Sequence, residues 1–415
     1  MNKVFIFTKS YPYDYASEIN FLNQEIDEIR KYFDKVYVIP EITKGARLFL
    51  DDDIEVVESF SIYRNLFFNR FICFISCFNY FLVKEIINKS KIKKLSFLDI
   101  ARIIKYNFNV EISRKWGGGF FKKDNSANCS KNIVYSWWFD YTSLGLSFVR
   151  DKDIKFTLCS RAHGYDLYED RNKLGFIPFR ETALGLIDKV YTDSFAGESY
   201  LFKKYPQFQN KISTSLLGVK KPNFNIVKKD DGIIRFVSCS FVIPLKRVEM
   251  IVKSIAILAN ERKGVFFEYT HFGEGPLLGK IIDLARNILP NNVSWSFPGY
   301  QDLNQVYSYY SHFNISAFIN VSETEGTPVS IMEAISFSLP VIATAVGGNQ
   351  EIVSSKNGFL INKNFELIDL KNCLEHLAFN FELRNKLAHG SFEVWNQYYN
   401  SEINYLSFSN EIKKI

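Results

Sequence analysis

The chain has 415 residues and carries 51 Lys and Arg against 45 Asp and Glu, a formal net charge of +6. With 47% hydrophobic and 16% aromatic residues it can bury sizeable cores, which excludes a disordered chain, and its length suits two or three domains. Six positive charges spread evenly over this length would be too thin for a nucleic-acid partner.

The first apolar run, Val4-Phe5-Ile6-Phe7, follows Met1 at once and reads as a strand, so the start does not have the pattern of a signal peptide. No stretch of 18 residues is free of polar groups. The nearest, Phe67 to Val83, is broken by Asn69, Arg70, Ser76 and Asn79, which argues against a spanning helix. Further short β-branched runs follow at Val36–Ile39, Ile133–Tyr135, Ile154–Leu158 and Val190–Tyr191. A second set lies at Ile233–Val237, Phe266–Thr270, Val293–Phe297, Ile315–Ile319 and Val341–Ala343. Runs without alternation suit parallel strands covered on both faces, and helical patterns between them predict a doubly wound α/β fold.

The polar stretch from Lys220-Lys221-Pro222 to Asp231-Gly232 reads as a linker. It predicts an N-terminal Rossmann-like domain over 1–220 and a C-terminal one over 221–392. The aromatic segment 393–415, with Trp395, Tyr399, Tyr405 and Phe408, is expected to pack back on the first domain. Two such sheets would bind ligands at their carboxyl ends, facing each other across a cleft.

The six cysteines (Cys73, Cys77, Cys129, Cys159, Cys239, Cys373) form no CxxC pair, and several sit in apolar runs. They read as buried, reduced thiols of a cytoplasmic protein. The five histidines are scattered and form no metal box.

Chemistry concentrates after the run Ile315–Ile319. The loop 321–326 carries Glu323 and Glu325, Thr327 is a candidate N-cap, and Pro328 suits the first position of a helix running to about Ser338 with Glu333 inside it. A helix start at a strand's carboxyl end offers N–H groups and a positive dipole end to an anion. The two carboxylates would instead accept hydrogen bonds from sugar hydroxyls. Gly347-Gly348, after the next strand, permits close backbone approach.

The spacing Glu325-x7-Glu333, followed by Pro340–Thr344 and Gly347-Gly348, resembles the retaining family-4 glycosyltransferases of GT-B fold, of the bacterial surface-polysaccharide type. The resemblance extends along nearly the whole chain. Arg161-Ala162-His163-Gly164-Tyr165-Asp166 is similar to the family's HGxD segment, Phe272-Gly273-Glu274-Gly275-Pro276 to its GxGP turn, and Pro244-Leu245-Lys246-Arg247 to its basic segment at a helix start. The resemblance implies a role for each residue. Glu325 would hold the donor sugar near its anomeric carbon and Glu333 the ribose hydroxyls. Lys246, with Arg247 as second candidate, would balance the donor diphosphate, helped by backbone N–H groups of the stretch Gly326-Thr327-Pro328-Val329, and Gly273 and Gly275 would also belong to the nucleotide site. His163 would lie near the sugar.

Two features depart from the family pattern. Phe241 stands where many members carry an Arg, and the loop after the first strand, from Thr8 to Glu18, has no glycine. Its Ser17-Glu18-Ile19-Asn20-Phe21 resembles the loop of some relatives, leaving Glu18 to face the acceptor or to begin a solvated helix. The implied reaction moves a sugar from a nucleotide diphosphate donor to an acceptor hydroxyl, with no metal. The implied acceptor is a polyprenyl-linked saccharide in capsule or O-antigen synthesis. A soluble small-molecule transferase and a catalytically silent subunit that binds a partner enzyme are the alternatives. A metal-dependent transferase would need a DxD pair. Asp51-Asp52-Asp53 and Asp151-Lys152-Asp153 match formally but read as solvated turns.

The charge is not spread. Ile62 to Lys131 holds fourteen basic residues against four acids, a net +10, which leaves −4 for the rest. The same segment spaces Phe67, Phe71, Phe74, Phe78 and Phe81 along one helix face. That face reads first as a core helix and second as a surface docking on anionic lipid, in an enzyme working at the inner face of the cytoplasmic membrane. Either reading disfavours nucleic acid.

Overall fold

A computed structural model describes residues 2–15, 18–123, 132–220, 223–224 and 231–415. Ser17, Cys129 and most of the linker lie outside the described residues. The chain divides into two compact units, Met1–Leu217 with Glu402–Ile415, and Gly218–Ser401. The chain thus rejoins the first unit at Glu402, later than the sequence places it; Trp395 donates its indole N–H to Val219 O within the second unit.

The first unit holds strands β1 (Lys3–Thr8), β2 (Lys35–Pro40), β3 (Ile54–Val56), β4 (Ile133–Ser136), β5 (Thr157–Ala162), β6 (Lys189–Thr192) and β7 (Ile212–Thr214). They form one parallel sheet in the order β3-β2-β1-β4-β5-β6-β7. Its first five helices are α1 (Ile19–Ile29), α2 (Ser59–Asn65), α3 (Phe67–Ser76), α4 (Tyr80–Ile92) and α5 (Phe97–Lys123). Three more follow, α6 (Tyr141–Ser147), α7 (Arg180–Leu186) and α8 (Phe195–Lys204). Successive strand residues point to opposite faces, and in β1 both faces are apolar. Phe5 and Phe7 enter one core with Phe60, Trp116 and Leu158; Val4 and Ile6 enter the other with Leu22, Ile26 and Tyr135. The terminal helix completes the second core with Tyr405, Phe408 and Ile412, spaced three and four apart on one face.

The second unit holds β8 (Ile234–Cys239), β9 (Phe267–Phe272), β10 (Val293–Gly299), β11 (Ile315–Asn320), β12 (Val341–Thr344) and β13 (Gly358–Ile361). These pair in parallel as β10-β9-β8-β11-β12-β13. Its helices are α9 (Val248–Glu261), α10 (Leu278–Ile288), α11 (Leu303–His312), α12 (Val329–Ser336), α13 (Asn349–Ile352), α14 (Leu367–Phe379) and α15 (Phe381–Val394). The last helix, α16, runs Ser401–Lys414. In both sheets the strand order reverses beside the unit's first strand, between β1 and β4 and between β8 and β11. Such reversals open a crevice at the strands' carboxyl ends.

Two sequence expectations need correction here. The fifth strand begins at Thr157, not Ile154, because the Asp151 carboxylate accepts the backbone N–H groups of Asp153 and Ile154 and closes a turn. The aromatic face of α3 is not core. Phe67 is 84% and Phe68 71% exposed, and Phe71, Phe74, Ile75 and Phe78 are each at least half exposed. The buried side of α3 carries Cys73, and Cys77 just after it is buried too. Of the described cysteines, Cys73, Cys77 and Cys159 are free and buried, while Cys239 and Cys373 are free and only partly buried.

Candidate active site

In the second unit the crevice lies outside β8 and β11, and the loops after these strands meet there. After β8, Pro244–Lys246 makes one 3-10 turn and Arg247 takes a left-handed backbone (φ 51°) before α9 begins. After β11, residues 321–328 lead into α12. The Lys246 Nζ lies 2.5 Å from Glu325 Oε1. Asn320 Nδ2 and Ser322 Oγ donate to the same oxygen at 3.1 and 2.6 Å. Three donors from two loops therefore fix one carboxylate rotamer. Asn320 and Ser322 were not singled out in the sequence; their position at the end of a buried strand was the available signal.

Gly347 and Gly348 serve this same loop. A Cβ on Gly347 (φ 46°) would fall 2.0 Å from Glu325 O, and one on Gly348 2.1 Å from Gly326 O. The Gly348 N–H instead donates to Gly326 O at 3.0 Å. The close approach read from the sequence is thus made to the backbone that carries Glu325. Gly273 (φ 133°), just after β9, does the same for the loop after β8: a Cβ there would sit 2.0 Å from Ser240 O, and one on Gly275 2.5 Å from Val242 O.

The helix start differs from expectation. Pro328, with extended backbone, occupies the N-cap position and Val329 is the first residue of α12, so neither Thr327 as cap nor Pro328 as first helical residue holds. Gly326, Thr327, Pro328 and Val329 still form the turn by which α12 opens beside Glu325. Glu333 lies one helix face further in, and its carboxyl is pushed up to about 7 by burial, an effect that a hydrogen bond from Tyr307 opposes. Glu323 is exposed.

Arg247 spends three of its five N–H donors on backbone carbonyls. Its Nε donates to Val321 O (2.7 Å), Nη1 to Lys363 O (2.8 Å) and Nη2 to Ser322 O (3.2 Å), and its guanidinium lies over Phe365. It clamps the loop bearing Glu325 from behind. The left-handed turn that aims it there is a tertiary feature with no local signature. His271 is a further support. Its ring bonds Ser238 Oγ through Nδ1 (2.7 Å) and Ser240 O through Nε2 (3.1 Å), and Ser238 Oγ also meets Tyr269 OH at 2.7 Å. Burial lowers the ring to about 4, so it is neutral with its proton on the nitrogen facing the carbonyl.

In the first unit His163 follows β5. Its ring packs between Trp137 and Trp138, with centroids 4.8 and 4.7 Å away. Asp166 accepts the backbone N–H groups of His163 and Phe139. Both ring nitrogens of His163 are buried without a hydrogen-bond partner among the described residues. Glu18 does not begin a solvated helix. Its buried carboxylate accepts the N–H groups of Lys9 (2.7 Å), Ser10 (2.8 Å) and Tyr11 (3.2 Å) and the indole N–H of Trp138, which shapes a loop without glycine. Beside it, at the β1–β4 crevice, lies a cluster with no sequence motif. Lys9 Nζ bonds Glu41 (3.0 Å) and Tyr141 OH (2.5 Å), Arg64 reaches Glu41 at 2.8 Å, and burial holds the nearby Asp140 carboxyl up at about 7.

Two parallel α/β units, each with its polar loops at the point of strand reversal, have the GT-B fold, and solved structures bear this out. The lipopolysaccharide outer core galactosyltransferase WaaB aligns over 99% of this chain and 98% of its own, with a TM-score of 0.67 at 15% identity. Anabaena Alr3699/HepE in complex with UDP aligns over 100% of both chains, with a TM-score of 0.65 at 12% identity.

Within that fold, residues 233–378 match the model of the family described as glycosyl transferases group 1. Among curated relatives, the uncharacterized glycosyltransferase MJ1178 of Methanocaldococcus jannaschii is 34% identical over 143 residues, 34% of this chain and 39% of that protein. The chain spans between 32% and 40% of the length of the curated relatives it matches.

Proposed function

We propose that the protein is a retaining glycosyltransferase that takes a sugar from a nucleotide diphosphate donor to an acceptor hydroxyl. The observation that carries this reading is the junction of Lys246 and Glu325 at the β8–β11 crevice, within the stretch that matches glycosyl transferases group 1. An ammonium has three donors, and the one spent on Glu325 leaves two for phosphate oxygens. Lys246 and the opening turn of α12 then balance the diphosphate as the glycosidic bond breaks, which is where charge develops. Glu325 orients the sugar and Glu333 accepts from the ribose hydroxyls. In this reading the bond from the anomeric carbon to phosphate breaks and one to the acceptor oxygen forms on the same face. The acceptor proton passes to the departing phosphate oxygen, and no metal is needed.

The acceptor site falls to the first unit, around His163 and the Lys9–Glu41–Tyr141 cluster. The proposed acceptor is a lipid-linked saccharide of surface-polysaccharide synthesis, at the cytoplasmic face of the membrane. Support for that comes from the fold shared with a lipopolysaccharide outer core galactosyltransferase, and for a UDP donor from the fold shared with a UDP-bound structure. Calorimetric screening of nucleotide diphosphate sugars identifies the donor. Sugar transfer or donor hydrolysis by the purified protein that survives unchanged in Glu325→Gln would refute the assignment.

A further inference from the structure

The geometry points to a peripheral membrane anchor: the outer face of α3 and α4 lies in the headgroup layer of an anionic bilayer, and the pocket beside it takes a lipid phosphate. α3 is mounted with its polar side inward. Cys77 O accepts from Asn107 Nδ2 of α5 (2.6 Å), Asn69 Nδ2 donates to Tyr63 O (3.2 Å) and Asn79 Nδ2 to Glu111 Oε1 (3.2 Å). The satisfied polar side fixes the helix to the unit and leaves Phe67, Phe68, Phe71, Phe74, Ile75 and Phe78 outside. An apolar patch of this kind marks an interaction surface.

The charges around it select the occupant. Residues 67–94 hold six basic side chains and one acid, Glu85. That acid is buried and accepts the Phe179 N–H at 2.8 Å. The exposed charges of this stretch are therefore all cationic, Arg70, Lys84, Lys91, Lys93 and Lys94, of which Lys93 also donates to Leu174 O at 3.1 Å and lies 3.9 Å from Asp99. A protein interface core is depleted in charge, whereas aromatic insertion backed by lysines fits anionic lipid. α3 and α4 are the one pair of described helices with the length and composition of a span, but they bend by 57° between them. With their inner side bonded to α5 they lie along the surface rather than cross it.

Beside Phe74 a pocket is lined by Arg64, Arg70 and Lys105 with Ile104, Phe108 and Asn109, and no acid. Arg64 spends Nη2 on Asn109 (2.9 Å) and Glu41, while its Nη1 is buried without a partner among the described residues. A cationic pocket with apolar walls at the edge of an aromatic face suits a headgroup phosphate whose acyl chains pass the phenylalanines.

Vesicle flotation of the full chain tests this independently of any transfer reaction. Binding is expected to phosphatidylglycerol vesicles, to weaken in high salt, and to be absent on phosphatidylcholine. Joint Phe67→Ser, Phe71→Ser and Phe74→Ser should abolish it. Joint Lys91→Ser, Lys93→Ser and Lys94→Ser should lower it about a hundredfold, at roughly fivefold per charge. A Phe71→Trp variant, with native fluorescence otherwise retained, should shift to the blue on vesicles and be quenched by brominated lipid. Equal binding to both lipids, or flotation of the serine variants at the parent level, would overturn the anchor. So would light scattering that shows a dimer dissolved by the phenylalanine changes, since the face would then belong to a second copy. Donor binding that fails while flotation succeeds would overturn the transferase reading and leave the anchor standing.

Discussion

Lys246 Nζ and Glu325 Oε1 stand 2.5 Å apart although 79 residues separate them in the chain. The contact exists because β8 and β11 are neighbours in the sheet while the chain between them builds β9 and β10 on the other side. On the proposed function, replacing Lys246 by Met removes the cation from the leaving phosphate, and kcat should fall roughly a hundred- to a thousandfold. Glu325→Gln keeps the shape and the bonds from Asn320 and Ser322 but loses the charge. In a double-mutant cycle the two losses should not add, because each variant already breaks the shared contact. Additive losses in steady-state kinetics would separate the two roles.

The glycine pair after β12 gives a second prediction, about stability. Gly347→Ala places a methyl 2.0 Å from Glu325 O at a left-handed backbone, so overlap and strain act together. A loss of about 2 kcal/mol or more is expected, with reduced donor affinity because the Glu325 loop must move. Gly118→Ala is the control. Gly118 lies within α5 with no atom within 4 Å of its Cβ position, and alanine there should stabilise by up to about 1 kcal/mol. Denaturant melts of both variants check the contrast.

Glu333 links donor binding to pH. Burial holds its carboxyl at about 7 against an ordinary 4.5. If Glu333 accepts from the ribose hydroxyls as proposed, they donate to its ionised form, and donor affinity should rise from pH 6 to pH 8 on the order of tenfold, with proton release on binding. Calorimetry in buffers of different ionisation heat detects that proton. Stability runs the other way. Between about 4.5 and 7 the native state holds a proton that the unfolded chain has lost, so stability falls as pH rises through this window, by up to ~3 kcal/mol. Glu333→Gln should flatten that slope and be the more stable protein at pH 8, while binding donor more weakly.

The sequence made the strands of both sheets readable because β1, β4, β8, β11 and β12 are buried on both faces and therefore apolar without alternation. The three-residue strands β3 and β7 lie at sheet edges, too short to leave a pattern. Glu325 and Glu333 were legible because a helix entry at a strand end has its own local chemistry. The fate of Arg247 was not, because a guanidinium can serve a ligand or three carbonyls equally well and only the fold decides. Periodicity likewise located the phenylalanine face of α3 but not its direction. Cys73 and Cys77 are buried, and the Asn107 amide that bonds Cys77 O comes from α5, 30 residues further along the chain.

The first unit offers a stability test on residues that take no part in the proposed donor site. Arg161 and Glu25 are fully buried, with Nη2 to Oε2 at 2.9 Å. Tyr135 OH donates to Glu25 (2.7 Å) while accepting from Arg161 Nε (3.0 Å), and Arg161 Nη1 donates to Ser215 O. The guanidinium also lies 4.5 Å from the Phe408 ring centroid, so it ties the terminal helix to β5. Arg161→Met leaves the Glu25 carboxylate buried without its cation, and a loss of about 3–5 kcal/mol is expected. Adding Glu25→Leu should recover much of that, since the buried charge goes with it. Hydrogen exchange should show the loss in β5 and α16, with donor affinity at the second unit unchanged. A single variant as stable as the parent would mean that Glu25 is neutral in the native protein and that its bond from Tyr135 suffices.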